Sequence, residues 1–196
     1  FSYYQLVTSG NLNANELYKD SSYNGTIKAI GTKITSQFFD FTPNLELSNN
    51  ANLNAKYLTL TQSSTMNLTN STAQVENLIF QGFQNSDFSS KFTLDSTSKF
   101  SVTQALSFDK STFDLNNLSN TKTGLTLPTE YNLYACNGST ITANEFKNTK
   151  ENAEFVLDNS TFKATSVSFQ SAKIGVQNGA QFSANSLNFT ENSTIV

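Results

Sequence analysis

The feature that most constrains this chain is a period. An apolar residue two positions before an Asn pair, an Asn-Ser or an Asn-Gly recurs at a nearly fixed interval. Leu47 precedes Asn49-Asn50, Leu68 precedes Asn70-Ser71, Leu157 precedes Asn159-Ser160, and Val176 precedes Asn178-Gly179. Extended both ways, the register runs through Leu6, Ile27, Leu47, Leu68, Leu94, Leu115, Cys136, Leu157, Val176 and Val196. Successive anchor numbers differ by 21, 20, 21, 26, 21, 21, 21, 19 and 20, so a single interval departs from the rule. A short fixed period marks stacked units, each of which touches only its neighbours.

Each unit has internal order. A second apolar position follows the anchor by five or six places and a third comes about five later, as in Leu6, Leu12, Leu17 and in Val176, Phe182, Leu187. Inside the units apolar and polar residues alternate: "LTL" at 58–60, "VSF" at 167–169, "LNF" at 187–189. That is the period of a strand, in which successive side chains point to opposite faces. The expected fold is all-β: a right-handed parallel β-helix (solenoid) of about nine coils of roughly 19–21 residues, with one longer coil. At ~4.8 Å per coil, nine coils extend on the order of 43 Å. Residues 1–196 are expected to form a single solenoid segment.

The chain must reverse at the Asn positions. Asn49, Asn70, Asn117, Asn159 and Asn178 sit two places after an anchor, and Gly138 takes that slot after Cys136. Asn tolerates the left-handed conformation of a tight corner and Gly adopts it freely. A stacked Asn ladder is expected there, with amides bonding from coil to coil. Two places past the second apolar position stands a small residue: Ala14, Ala55, Ala143, Ala164 and Ala184, with Val75, Val102 and Ser36 in other units. This predicts a crowded bend in the coil wall.

Composition narrows the chemistry. The chain has no His and no Trp, and all twelve basic residues are Lys. An imidazole base, the commonest nitrogen metal ligand and the bidentate guanidinium clamp are all missing. The net charge is −3 and the lysines are scattered, so no nucleic-acid partner is expected. Charged residues make up only 14 %, yet 17 Phe supply apolar surface to bury, which argues against disorder. No run of about eighteen apolar residues exists, so no membrane insertion by this segment is expected. "FSYYQLVTSG" does not read as a signal peptide. Cys136 is the single cysteine, which rules out an internal disulfide. Its anchor slot predicts a buried, inert thiol.

No residue is assigned to catalysis, to a cofactor or to a metal. Glu151 and Glu154 are close in sequence, as are Asp109 and Asp114; Asp95 and Asp114 are 19 apart, and Asp158 takes the same slot as Asp95. Pectin-cleaving β-solenoids cluster carboxylates with Arg or Lys, so Asp95, Asp114 and Asp158 define the alternative of a carbohydrate-active β-helix enzyme. Asn116 and Asn137 occupy that slot in the coils between, and solvated acids are the expectation. No phosphate loop and no calcium-binding nonapeptide occurs. Asn-x-Ser/Thr triplets such as Asn24-Gly-Thr26 and Asn159-Ser-Thr161 carry meaning only in a secreted eukaryotic chain. "TLT" at 59–61 does not repeat in register, so an ice-binding face is not expected. The period fails in two places: the longer unit containing Gln81–Lys91, and the unit around Pro128. Loops carry contact sites more often than scaffold does, so these are the candidate contact regions.

The units "FSANSLNF" at 182–189, with "DNSTF" and "ENSTI" between strands, resemble repeats of bacterial autotransporter passenger domains. They look most like the vacuolating-cytotoxin-like autotransporters of Helicobacter and its relatives. The resemblance runs through Leu12–Leu17, Leu53–Leu60, Ile141–Phe146, Phe162–Phe169 and Phe182–Phe189. It implies a passenger of a Gram-negative bacterium, secreted or held on the outer-membrane exterior, that meets a host-cell surface protein or glycan. The implied role is a non-enzymatic rigid stalk for adhesion, host interaction or colonisation. The cytotoxin's apolar pore-forming segment has no counterpart, so toxin activity is not carried over. Ile195-Val196 is expected to begin another coil of a longer passenger. A further alternative is a structural solenoid that self-associates through its ends or edges into a filament or sheath.

Overall fold

The structure is a computed structural model that describes residues 3–7, 11–18, 26–41, 44–61, 65–82, 91–118 and 130–196. The described chain is almost entirely strand. In order it forms β1 (Tyr3–Val7), β2 (Asn11–Tyr18), β3 (Thr26–Ile30), β4 (Lys33–Phe41), β5 (Asn44–Ser48) and β6 (Asn52–Thr61). There follow β7 (Thr65–Thr69), β8 (Thr72–Gln81), β9 (Lys91–Leu94), β10 (Lys99–Asp109), β11 (Thr112–Asp114) and a single helical turn, α1 (Leu115–Leu118). The rest is β12 (Asn132–Cys136), β13 (Thr140–Asn148), β14 (Ala153–Asp158), β15 (Thr161–Phe169), β16 (Ala172–Gln177), β17 (Gln181–Phe189) and β18 (Thr194–Ile195).

Apart from the step from β9 to β11, each strand pairs in parallel with the second strand along the chain, which is the pairing of a β-solenoid. The coils stack into three sheets: a five-strand sheet of β1, β3, β5, β7 and β9, a nine-strand sheet of the even-numbered strands, and a four-strand sheet of β11, β13, β15 and β17. The stack makes about seven turns rather than the nine expected from the anchors. Among the described residues, the unit at Leu115 turns into α1 instead of adding a strand to the five-strand sheet.

Alternation decides which side faces in. In β5, β6 and β7 the apolar members (Leu45, Leu47; Leu53, Ala55, Leu58, Leu60; Met66, Leu68) are all buried and their polar neighbours are not. In-register rings stack along the axis: Phe80 on Phe108 at 5.2 Å and Phe162 on Phe182 at 5.4 Å between centroids. Burying one such side chain contributes about 1.5–3 kcal/mol, and these join one continuous cluster from Ala29 to Ile174. The phrase at 181–189 follows the scheme, with Phe182, Ala184, Leu187 and Phe189 in register over Phe162, Ala164, Val167 and Phe169. Leu187 is nevertheless exposed, because β17 pairs on one side only among the described strands.

The small-residue slot is in register throughout. Ala14 pairs with Ser36, Ser36 with Ala55, Ala55 with Val75, and Val75 with Val102. In the four-strand sheet Ala143 pairs with Ala164 and Ala164 with Ala184. One residue just past the slot drops out of pairing, so the long strands bend there.

Three anchors sit elsewhere than their spacing predicts. Ala29, not Ile27, pairs with Leu6 and Leu47; Ile27 pairs with Tyr4 and Leu45. Leu45 and Leu47 are both buried and stand two places apart, so a period of two cannot separate the registers they define. Leu115 lies in α1, and Asn117 lies there with it rather than at a corner. Cys136 pairs with Asp109 of β10. Ala135 holds the inward position, in register with Leu157, so Cys136 is half-buried on the outer side rather than buried in the core.

Candidate functional site

Apart from Asn152, between β13 and β14, the left-handed Asn corners fall into two columns. Asn49, Asn50 and Asn70 turn from the five-strand sheet into the nine-strand sheet with φ of 56°, 62° and 47°, and Asp95 follows them at the next coil. Lys110, Asn137, Asn159 and Asn178 turn from the nine-strand into the four-strand sheet with φ of 50°, 56°, 46° and 53°. The second column stands one wall further around the solenoid than the first.

Among the described corners, only one Asn-to-Asn rung of the expected ladder forms: Asn70 Nδ2 donates to Asn50 Oδ1 at 3.1 Å. In the second column the acceptor is an acid one coil away. Asn137 Nδ2 donates to Asp109 Oδ1 at 2.8 Å, and Asn178 Nδ2 to Asp158 Oδ1 at 2.7 Å. The more continuous ladder belongs to the buried serines at these corners. The Ser111 N–H donates to Ser139 Oγ at 3.1 Å, and the Ser139 N–H to Ser160 Oγ at 3.1 Å. Each hydroxyl in turn donates to a carbonyl of its own corner, such as Ser139 to Cys136 O at 2.8 Å. A corner inside the core needs an acceptor for its N–H, and serine supplies one in the space of a small side chain. "NGS" and "DNS" carried this signal in the sequence.

The candidate carboxylates do not come together. Asp95 lies at the end of the five-strand sheet, Asp114 in β11 of the four-strand sheet, and Asp158 in β14 of the nine-strand sheet. Asp95 caps its corner, accepting from Ser98 Oγ at 2.7 Å, Thr97 Oγ1 at 3.0 Å and the Asn70 N–H at 3.0 Å. The Ser98 hydroxyl, opposed by desolvation and helped by Thr97 and the Asn70 N–H, holds its carboxyl below the ordinary value. Asp114 accepts from the N–H and the carboxamide of Asn116 at 3.0 and 2.9 Å. Glu154 accepts a hydrogen bond from the Tyr134 hydroxyl. Desolvation, reinforced by that carboxylate, pushes Tyr134 up to about 12. Glu151 is exposed at the rim of a polar corner cleft with Glu130, Lys150 and Gln170. No group of three or more His, Cys, Asp or Glu able to hold a metal occurs among the described residues.

Cys136 is flanked in its column by Asp109 and Asp158. Burial pushes its thiol up, and Asp109, then Asp158, add to the rise. The candidate contact region Gln81–Lys91 falls largely outside the described residues, as does the region around Pro128.

The third feature is a groove where the long strands bend. Ser36 and Ala55 floor it, Thr35, Asn54 and Gln74 form one rim, and Lys56 and Glu76 the other. Its volume is about 210 Å³. On the adjacent wall Phe38 stacks on Tyr57, in register one coil away, at 5.1 Å between centroids and 8° between planes. Periodicity alone does not single out this pair, although the alternation in "QFFDF" and "AKYLTL" puts both rings on the outer face. No known protein family matches the sequence, and neither does any curated protein or solved structure.

Proposed function

We propose that this chain is a segment of a non-enzymatic autotransporter passenger, surface-exposed or secreted, acting as a rigid stalk for adhesion, host interaction or colonisation. The observation that carries the reading is the unbroken nine-strand parallel sheet from β2 to β18, backed by one continuous apolar core. Nine strands at ~4.8 Å span on the order of 38 Å, and every coil is bonded through its backbone to the next. Such a rod resists bending and presents outward side chains in straight columns, the property required of a stalk. The resemblance of the "FSANSLNF" units to cytotoxin-like passengers supplies the secretory setting.

The test is protease shaving of intact cells that produce the full-length protein, followed by immunodetection of this segment. Loss of the segment without cell lysis supports the reading; full protection until lysis contradicts it. A strain deleted for residues 26–109 should then bind fewer host epithelial cells, and undiminished binding would remove the stalk from adhesion.

A further inference from the structure

Among the described residues four large apolar side chains are open to solvent. Leu187, Ile195 and Val196 belong to the last strands and the residue after them; Phe38, 41 % exposed, stands apart from them in the middle of a wall. Its backbone is held by a device its neighbours lack. In the slot that is Ala55 and Val75 in the next coils, β4 has Ser36, whose hydroxyl crosses the bend and donates to Phe38 O at 2.7 Å. The Phe38 ring lies against Tyr57, and Lys56 Nζ stands 5.8 Å from the Tyr57 centroid. The result is a stacked aromatic pair, with Phe38 open to solvent, beside a polar trough.

The trough runs along the solenoid axis over β4, β6 and β8. It stops at β10, where the register shifts between Val102 and Ala105 and a bulge carries Thr103 and Gln104 outward. Bulges of this kind commonly end or redirect a surface beside a site. The Gln74 carboxamide and the Glu76 carboxylate bond to no other described residue, so both remain available to a ligand. Lys56 and Glu76 have opposite charges on adjacent coils, which leaves the trough without net charge.

We propose that this trough is a binding site for a neutral glycan chain lying along the solenoid axis, with the Phe38–Tyr57 pair as its platform. A pyranose ring has an apolar C–H face and a rim of hydroxyls, so it needs an aromatic plate next to donors and acceptors. Phe38 and Tyr57 provide the aromatic contact through the ring surface that their mutual stacking leaves open; Thr35, Asn54, Gln74 and Glu76 provide the hydrogen bonds. The coil rise of ~4.8 Å is close to the length of one pyranose unit, so successive sugars meet equivalent positions on successive coils. The trough is smaller than the pockets that enclose a compact small molecule, but it suits a polymer touched along one side. A protein partner is disfavoured, because the trough lacks the cluster of apolar anchors that makes an interface hot spot. A glycan would give the proposed stalk its ligand and takes its setting from that reading; the binding itself does not depend on it.

The experiment is isothermal titration of the purified chain with neutral hexasaccharides: β-1,4-glucan, β-1,4-mannan, β-1,4-xylan and α-1,6-glucan. At least one should bind, and Phe38→Ala and Gln74→Ala should each weaken it by roughly tenfold. Asn188→Ala, on the four-strand sheet, should leave the affinity unchanged. Circular dichroism identical to the parent shows that each variant is folded; both groove positions are exposed, so loss of fold is not expected. Absence of binding by all four sugars overturns the proposal, as does binding that survives both groove variants. Binding to an unglycosylated extended peptide with the same sensitivity to Phe38→Ala would replace the glycan by a protein partner. Surface exposure of the segment with no sugar binding would sink the groove and leave the stalk standing.

Discussion

Asp109 at the end of β10 stands in register with Cys136 at the end of β12, and this pairing shows how two stacks of coils are joined. The five-strand sheet ends at β9 and the four-strand sheet begins at β11, so among the described residues only the nine-strand sheet passes through both. Its long bent strands in the first stack give way to short strands in the second, and the corner column moves one wall around. The pairing also puts a carboxylate beside the single thiol.

Close approach at this junction makes Gly82 irreplaceable. A Cβ on Gly82 would lie 1.9 Å from Lys110 O, a backbone atom that cannot swing away, and the Gly82 N–H is held by Asp109 O at 2.8 Å. Gly82→Ala should cost about 1–3 kcal/mol or more in urea unfolding. Gly175 provides the control: a Cβ there meets only Val156 methyls at 3.7 and 3.8 Å. Gly175→Ala should be neutral or stabilise by about 0.4–1 kcal/mol. Equal effects of the two would contradict the junction geometry.

The serine ladder is testable one rung at a time. Ser139→Ala removes the acceptor of the buried Ser111 N–H, at a cost of about 1–3 kcal/mol. Ser183→Ala, on the outer side of β17, should fall within about 0.5 kcal/mol of the parent. Chemical denaturation of both variants decides whether the ladder supports the corner.

Asp95 gives the first corner column a pH dependence. Its folded value lies below the unfolded one, so its stabilisation is complete above the unfolded value of about 3.9 and is lost as pH falls through the folded value. The drop in Tm between pH 7 and pH 3 should therefore be smaller in Asp95→Asn than in the parent. An identical drop would show that the cap is unformed in solution.

Cys136 should react slowly. Its thiol is raised by partial burial and by Asp109 and Asp158, which lowers the thiolate fraction that attacks an alkylating reagent. Iodoacetamide at pH 8 should modify it several-fold more slowly than a free small-molecule thiol, and Asp109→Asn should accelerate the reaction. A rate equal to that of the free thiol would place the side chain in open solvent.

The coil wall was legible from sequence because its rule is local. Ala55, Val75 and Val102 occupy one slot, and a small side chain at a bend is recognisable at constant spacing. The corner register was legible only while coil length stayed constant. Leu115 and Cys136 are separated by a regular interval, yet Leu115 lies in α1, and Cys136 takes its register from Asp109 of β10 instead. An interval alone cannot report which wall a strand joins; that depends on long-range pairing. The serine ladder was only faintly legible in "NGS" and "DNS", because serine is abundant and its role depends on being buried. Phe38 was hidden for the reverse reason, since an outward aromatic in a Phe-rich chain reads as one more core residue.

The joining of the two stacks can be tested with the chain's own thiol. Adjacent in-register strands place Cα atoms ~4.8 Å apart, inside the range of roughly 4.4–6.8 Å that a disulfide spans. Asp109→Cys, oxidised under mild conditions and run on a non-reducing gel, should form an intramolecular crosslink to Cys136; Leu115→Cys should retain two free thiols. A crosslink from position 115 and none from position 109 would mean that the regular interval, not the observed pairing, sets the register, and the two-stack account would fail.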